Sequence, residues 1–249
     1  MKRYFLELAY HGGNYHGWQR QPGAISIQET IEERMRLLLR EPVELTVAGR
    51  TDAGVHALRT FAHFDTESPL DTAWLQKRLN AFLPKDIAVK NVYPVRSGAH
   101  ARYDAVSRTY RYVIVPRKDP FMWDRAWLHY EPLNVECMQR AADILLQYDD
   151  FESFSKVKTD VKTFICHIKE ARWTRTEDRL EFVITANRFL RNMVRAIVGT
   201  LVEIGQGKYP PEKMHDIIRA KDRRAAGPSA PAQGLYLENV VYPPDIFRV

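Results

Sequence analysis

Hydrophobic and polar residues recur along the chain with two periods, one typical of strands and one typical of helices. Residues 2–10 alternate, with Tyr4, Leu6, Leu8 and Tyr10 on one face, which predicts a β-strand. Ser26 and Glu29 have capping-box spacing, and helical periodicity then continues to about residue 40. The alternation thus gives way to a helix within the first 40 residues.

The rest of the first half continues this pattern. A second helix is predicted to begin at Asp71, and strands are predicted over residues 44–47, 58–64 and 87–93. The segment "AGRTDAGVHA", residues 48–57, then becomes a hairpin loop between two of these strands. The element order is β-α-β-β-α-β, the order of a ferredoxin-like unit.

The second half repeats this order without visible sequence identity to the first. Strands are predicted over residues 107–115, 164–173, 179–187 and 235–242. One helix is predicted from Asn134 to about Leu146. A second, apolar helix is predicted from Leu190 and ends at Gly205 or Gly207. A short extra helix begins at Pro210 and Pro211. We therefore predict an α+β protein of two ferredoxin-like (RRM-like) domains with antiparallel sheets, residues 1–104 and 105–249.

Composition narrows the function classes only slightly. The 249 residues carry 37 Lys and Arg against 31 Asp and Glu, a net charge of +6, which favours an acidic partner such as nucleic acid without requiring one. The two cysteines, Cys137 and Cys166, do not have metal-ligand spacing, and no apolar run approaches the ~20 residues of a membrane helix. We expect a soluble, intracellular protein without a disulfide framework.

Motifs for several kinds of chemistry are missing from the sequence. The glycine-rich "HGGNYHG" lacks the ending of a P-loop and the spacing of a dinucleotide fingerprint, so no nucleotide cofactor is expected. His11 and His16 do not have the spacing of a metal site, and no Gly-x-Ser-x-Gly nucleophile motif occurs. If the protein is an enzyme, we expect a carboxylate or a lone general base as its reactive group.

The loop containing Asp52 has two interpretations. In the first, Asp52 forms an Asx-turn, Gly54 supplies a positive φ, and the loop only closes a hairpin. In the second, the glycines allow a substrate to approach the backbone while a nearby cation keeps Asp52 ionised. The local sequence favours the first interpretation slightly.

Basic and aromatic residues are interleaved at several places. They are Trp18 and Arg20 in "GWQRQ", and Arg102, Tyr103, Arg108, Tyr110, Arg111 and Tyr112 in "ARYDAVSRTYRY". Any one tyrosine of a strand is more often a core residue, but aromatic faces beside arginines are also what splayed RNA bases and phosphates require. Lys221, Arg223 and Arg224 form a further basic cluster, either a phosphate contact or a solvated surface.

Arg195 lies in the apolar helix that follows Leu190. It is either a buried cation that needs a partner to offset its desolvation, or a residue of the helix's one solvated face, with Arg191 one turn before it. The periodicity is compatible with both.

Several motifs together resemble one family. "GRTDAGVHA", "ARYDAVSRTYRY", "FLRNMVRAIVG" and "APAQGLYL" occur in the order and near the spacing of the tRNA pseudouridine synthase A family, and "GWQRQ" is similar to its N-terminal loop. The resemblance covers almost the whole chain. "LRTFAHF" after the aspartate loop and Ala99 in "SGAHARYDA" depart from the usual pattern, which affects peripheral RNA contacts.

The resemblance implies a function and a site. The family converts uridine to pseudouridine at positions 38, 39 and 40 of the tRNA anticodon stem-loop, without metal or cofactor, as a cytoplasmic homodimer with a basic cleft between two domains. By position, Asp52 matches the catalytic aspartate, Tyr110 the tyrosine that packs against the uracil, and Arg195 the basic partner of the aspartate. Arg50 matches the arginine beside the flipped nucleotide.

Three hypotheses therefore follow. The first is a tRNA pseudouridine synthase with Asp52, Tyr110 and Arg195 as catalytic residues. Its expected RNA contacts are Arg50, Arg20, Trp18, Arg102, Arg108, Lys221, Arg223 and Arg224. The alternatives are a non-catalytic RNA-binding protein on the same fold and a carboxylate-dependent RNA hydrolase, which would change the mass of its substrate, whereas isomerisation does not.

Overall fold

A computed structural model describes residues 1–157 and 161–247. The chain divides into two compact units, one formed by residues 1–106 and 236–249 and the other by residues 107–235. The first unit thus includes the C-terminal strand, whereas the prediction from the sequence placed this strand in a second domain of residues 105–249. The difference arises because this strand pairs with a strand of the N-terminal half, a long-range contact that no local pattern indicates.

The element order agrees with the predicted one. In residues 1–106 the elements are β1 (Lys2–Tyr10), α1 (Ile27–Leu39), β2 (Thr46–Val47), β3 (His56–Thr66), α2 (Thr72–Phe82) and β4 (Ile87–Pro94). The following elements are β5 (Ser107–Val115), β6 (Trp127–Leu128), α3 (Val135–Leu145), β7 (Ile168–Arg175), β8 (Leu180–Ala186), α4 (Met193–Gly205), α5 (Lys213–Ala220) and β9 (Leu235–Val241). The mixed α+β class is confirmed.

The predicted helix starts are confirmed by their caps. The side chains of Ser26, Asp71 and Asn134 each accept a hydrogen bond from the backbone N–H three residues later, at the starts of α1, α2 and α3. Such caps satisfy N–H groups that have no partner inside the helix. They are local interactions, which is why the sequence predicts them well.

The sheet of the first unit has β1 at its centre. Strand β1 pairs antiparallel with β3 and β4, β2 pairs antiparallel with β3, and β9 pairs parallel with β3. The antiparallel pairs follow the prediction, while the parallel β3–β9 pair was not predicted. This sheet positions the loop between β2 and β3 that contains Asp52.

The alternation predicted for β1 is incomplete in the structure. Phe5 is as fully buried as Leu6, so both faces of the strand are covered. The ring of Phe5 packs edge-on against Tyr242 and Phe247, at centroid distances of 5.2 and 6.1 Å. The segment after β9 therefore supplies an aromatic cover for the face that the pattern left open to solvent.

The sheet of the second unit consists of β5, β8 and β7. Strand β8 pairs antiparallel with both neighbours, and the two-residue β6 pairs parallel with β5. Helix α4 is buried along most of its length, as its apolar sequence predicts. It ends at Gly205, and Gly207 just beyond it has a φ of +76°. The extra helix α5 begins at Lys213, after a turn formed by the two predicted prolines.

Candidate functional site

Asp52 lies in the connection between β2 and β3, which pair as the predicted hairpin. The pairing extends into the loop, since the N–H of Ala48 donates to the carbonyl of Phe61 at 2.8 Å. At the other end the N–H of Val55 donates to the carbonyl of Asp52 at 3.2 Å, and Gly54 has a φ of +79°. Asp52 is half-buried on this turn.

This loop is held by a second loop, residues 11–18, that follows β1. The N–H of Trp18 donates to the carbonyl of Thr51 at 3.1 Å, and the N–H of Gly54 donates to the carbonyl of Tyr15 at 3.3 Å. These two hydrogen bonds lie on either side of Asp52 in the sequence. The hydroxyl of Thr51 also lies 2.8 Å from that of Tyr10, a buried side chain at the end of β1.

Two glycines of this second loop allow the close approach. A Cβ atom on Gly12 would lie 2.0 Å from the carbonyl oxygen of Val55, and one on Gly17 would lie 2.6 Å from that of Thr51. Gly17 also has a φ of +89°, which side chains strongly disfavour. Neither glycine was among the predicted site residues, although the glycine-rich loop of residues 11–17 was a visible signal for both. The backbone around Asp52 is thus fixed from outside its own turn.

Replacing Gly12 tests this docking. We expect Gly12→Ala to push the backbone at Val55 away and to lower the free energy of unfolding by about 2 kcal/mol, because the added methyl group overpacks a close backbone contact. The comparison variant is Gly13→Ala, whose Cβ would lie 2.8 Å from the ring of His11, a side chain that can shift more easily than the backbone at Val55. Thermal melting of the two variants checks the prediction. Equal melting temperatures would mean that the close approach of Gly12 to Val55 does not hold the two loops together.

Of the other predicted residues in the first unit, Arg50 is exposed on the same loop as Asp52. Trp18 is only 1% exposed and packs against Tyr10 at a centroid distance of 6.1 Å. Its ring therefore presents no face on which a base could stack, contrary to what its aromatic character suggested. The guanidinium of Arg20 lies 2.8 Å from the buried carboxylate of Glu32, so its charge is already matched within the unit.

Arg102 is exposed on a loop that two histidines stabilise. The Nδ1 atom of the buried His63 accepts from the N–H of Ala101 at 3.1 Å, and the Nδ1 atom of His100 accepts from the N–H of Arg102 at 3.1 Å. Burial, followed by the positive charge of Arg3, lowers the pKa of His63 to about 4. His63 is therefore neutral near pH 7, and Nδ1 is free of a proton and able to accept this hydrogen bond.

In the second unit, Tyr110 and Arg108 lie on β5 and are both largely buried. The ring of Tyr110 meets that of Phe189 edge-on at 5.1 Å, and Phe189 lies in the connection between β8 and α4. The Arg108 guanidinium donates to the carbonyl of Asn187, in the same connection, at 2.7 Å. The structure thus brings Tyr110 and Arg108 to the segment that leads into α4.

Arg195 lies in the first turn of α4 and is half-buried, so it is neither a core residue nor fully solvated. Its Nε donates to the carbonyl of Ala230 at 2.7 Å. Arg191, suggested as its neighbour on a solvated helix face, lies outside α4 and is exposed. Asp52 belongs to the first unit, and Tyr110 and Arg195 belong to the second.

The three residues of the basic cluster have different surroundings. Lys221 lies 2.7 Å from a carboxylate oxygen of Asp150. Arg224 is paired with Asp222 at 2.7 Å, and its side chain is 90% exposed. Arg223 instead donates to carbonyl oxygens of residues that follow it in the chain. The cluster is therefore not a uniform solvated surface.

Two kinds of feature are absent from the described residues. Within residues 1–157 and 161–247, no group of three or more His, Cys, Asp or Glu side chains is arranged to hold a metal ion. None of the helices in this described part of the chain has both the length and the apolar character needed to cross a membrane.

Comparison with known proteins identifies the family. The family model described as tRNA pseudouridine synthase matches residues 8–104 and 141–243. A tRNA pseudouridine synthase A of Parabacteroides distasonis is 50% identical over 250 residues, which covers 100% of this chain and 99% of that protein. The protein of the same name from Porphyromonas gingivalis is 52% identical over 251 residues, 99% of this chain and 100% of that protein. That of Bacteroides thetaiotaomicron is 52% identical over 250 residues, 99% of this chain and 93% of that protein.

The chain therefore belongs to the tRNA pseudouridine synthase family. The resemblance that the sequence motifs indicated is confirmed.

Proposed function

We propose that this protein isomerises uridine to pseudouridine in tRNA. The observation that carries the proposal is the full-length similarity to proteins named tRNA pseudouridine synthase A. The carboxylate of Asp52, on a backbone that is hydrogen-bonded to the loop of residues 11–18, supports the proposal with a chemically suitable group. The finer proposals, from the family resemblance, are that the target uridines lie at positions 38, 39 and 40 of the anticodon stem-loop and that the enzyme acts in the cytoplasm as a homodimer.

The reaction needs little more than one carboxylate. It breaks the C–N bond between ribose and uracil, turns the uracil without releasing it, and forms a C–C bond between the sugar carbon and carbon 5. Carbon 5 then loses its proton and N1, no longer bonded to ribose, gains one, so the mass does not change. Because uracil leaves as a delocalised anion, the second carboxylic acid that glycosidases use is less necessary. The Asp52 carboxylate can attack the sugar carbon or remove a ribose proton, and both roles require its ionised form.

We propose that Arg195 favours this ionised form as the cationic partner of Asp52, and that Tyr110 packs against the extruded uracil. A uridine inside a stem-loop has to leave its stack before a side chain can reach its glycosidic bond. The RNA contacts that we propose are Arg50, Arg20, Arg102, Lys221 and Arg224. Arg108, expected from the sequence as a further contact, is largely buried and donates to the carbonyl of Asn187. For Arg20 and Lys221, a phosphate would compete with the carboxylates of Glu32 and Asp150.

The deciding experiment is incubation of the purified protein with unmodified tRNA, followed by carbodiimide-based mapping of pseudouridine and by mass measurement of the RNA. We expect pseudouridine in the anticodon stem-loop and no change in mass. Bound but unmodified tRNA would favour the non-catalytic RNA-binding protein. Free uracil or cut strands would favour the hydrolase.

Replacing Tyr110 separates packing from proton transfer. Tyr110→Phe keeps the ring but removes the hydroxyl, so we expect loss of the carbon-5 proton to slow ~10²-fold, the size of a general-base contribution. Binding of tRNA should persist. Release of tritium from tRNA labelled at carbon 5 of uridine measures this step, with the exposed Tyr130→Phe as the control. A fully active Tyr110→Phe variant would restrict Tyr110 to packing.

A further inference from the structure

A short segment after the basic cluster lies against α4. We call residues 226–231 the strap. The N–H of Gly227 donates to the hydroxyl of Thr200 at 2.9 Å, and the side-chain amide of Asn192 donates to the hydroxyl of Ser229 at 2.7 Å. A Cβ atom on Gly199 would lie 1.7 Å from the carbonyl oxygen of Pro228, so helix and strap meet backbone to backbone.

Arg195 is bound to the strap through both its side chain and its main chain. Its Nε donates to the carbonyl of Ala230 at 2.7 Å, and its own carbonyl accepts from the N–H of Ala230 at 2.9 Å. The direction in which the guanidinium points therefore depends on where the strap holds Ala230. A small displacement of the strap would change the position of the charge without unfolding α4.

The side chain of Arg223 donates hydrogen bonds to several residues of the strap. Its Nη1 donates to the carbonyls of Gly227 and Ala226 at 2.9 and 3.3 Å, and its Nη2 lies 3.2 Å from the hydroxyl of Ser229. The planar guanidinium can reach these neutral acceptors at once because its donors are fixed in a fork. Burial also lowers the pKa of Arg223, as expected for a cation partly removed from water.

We propose that Arg223 is a positioning residue that fixes the strap and, through Ala230, the guanidinium of Arg195. This inference rests on the proposed function, in which Arg195 is the partner of Asp52. It gives Arg223 a role other than the phosphate contact expected from the sequence. The neighbouring Arg224, paired with Asp222 and exposed, remains available for a phosphate contact.

Two substitutions of Arg223 distinguish these roles. If Arg223 binds a phosphate, its positive charge is what matters, and Arg223→Lys would keep both the affinity for tRNA and the dependence of that affinity on salt. If Arg223 positions the strap, its hydrogen bonds need the planar guanidinium, which neither lysine nor methionine provides. We therefore expect Arg223→Lys and Arg223→Met to lower the single-turnover rate to a similar extent, ~10-fold to 10²-fold. The dissociation constant for tRNA should change by about twofold at most, with an unchanged salt slope.

The matched control is Arg219→Met, which removes the same charge from an exposed position in the last turn of α5. We expect its single-turnover rate to equal that of the original protein. Thermal melting is measured on every variant. Should Arg223→Met fail to fold, Ser229→Ala replaces it, because this change loosens the strap while leaving both charges in place.

A double-mutant cycle with Arg195→Met tests whether Arg223 acts through Arg195. If it does, Arg223→Met lowers the rate of the original protein but has little further effect when Arg195 is already methionine. A purely structural role would lower the rate by the same factor in both backgrounds and would overturn the inference.

Equal rates for Arg223→Met and Arg219→Met would also overturn it and leave the proposed function standing. An original protein that forms no pseudouridine would instead remove the proposed function, and this inference with it.

Discussion

Asp52→Asn is expected to abolish pseudouridine formation, with a fall in rate of at least ~10⁴-fold, the scale observed for essential catalytic nucleophiles. Asparagine has nearly the same size as aspartate and preserves the backbone hydrogen bond from Val55 to residue 52. The docking by Trp18 and Gly54 uses backbone atoms and should also persist. What the substitution removes is the negative charge. Pseudouridine yield after incubation with unmodified tRNA measures the effect.

The result depends on showing that only chemistry has changed. We expect tRNA affinity within a few-fold of the original and an unchanged melting temperature, because the half-buried loop retains its shape. The control is Asp178→Asn, an exposed carboxylate that pairs with Arg117. A folded Asp52→Asn variant that still forms pseudouridine at a near-normal rate would make residues 48–57 a structural turn and remove the carboxylate from the mechanism.

Features that depend on neighbours in the chain could be predicted from the sequence. The caps at Ser26, Asp71 and Asn134 were predicted because cap and recipient N–H are three residues apart. The hairpin around Asp52 was predicted for the same reason, since both of its strands are adjacent to the loop. The motifs that carried the family resemblance are also short, which explains why they can be recognised without a structure.

Features that depend on distant segments could not be predicted in this way. The second face of β1 is covered by Tyr242 and Phe247, more than 230 residues away, and no periodicity in β1 shows this. The need for glycine at positions 12 and 17 arises from the backbone of residues 51–55, which approaches them only in the folded chain. A glycine-rich loop in a sequence usually indicates a conformationally free backbone, whereas these glycines permit a close contact between two backbone segments.

The residue types of a site are also easier to predict than their exposure. Trp18 has the chemistry of a stacking residue but fills the core beside Tyr10. Arg223 and Arg224 are identical in type and adjacent in sequence, yet one binds the carbonyls of the strap and the other an exposed carboxylate. Their difference is set by the path of residues 226–231, which hydrophobic and polar periodicity does not describe.

Arg195→Met is expected to lower the rate of pseudouridine formation ~10³-fold, the upper end of the effect of removing one electrostatic partner from an active site. Methionine keeps an unbranched side chain of similar length and can pack where the stem of Arg195 now lies. It removes the cation that we propose as the partner of Asp52. It also removes the hydrogen bond to Ala230, which should lower stability by only about 1 kcal/mol.

A graded series assigns the effect to charge and position. Arg195→Lys keeps the positive charge but loses the Nε donor to Ala230, so we expect its rate to lie between those of the original protein and Arg195→Met. Arg191→Met, at an exposed position just before α4, provides a control for loss of net charge near the helix.

Single-turnover rates and tRNA dissociation constants are compared across the three variants. Because Arg195 is proposed to act on the chemical step, the rates should separate while the dissociation constants remain close. If Arg195→Met and Arg191→Met instead weaken tRNA binding equally and leave the rate at saturation unchanged, Arg195 is an RNA contact, and the cationic partner of Asp52 has to be another residue.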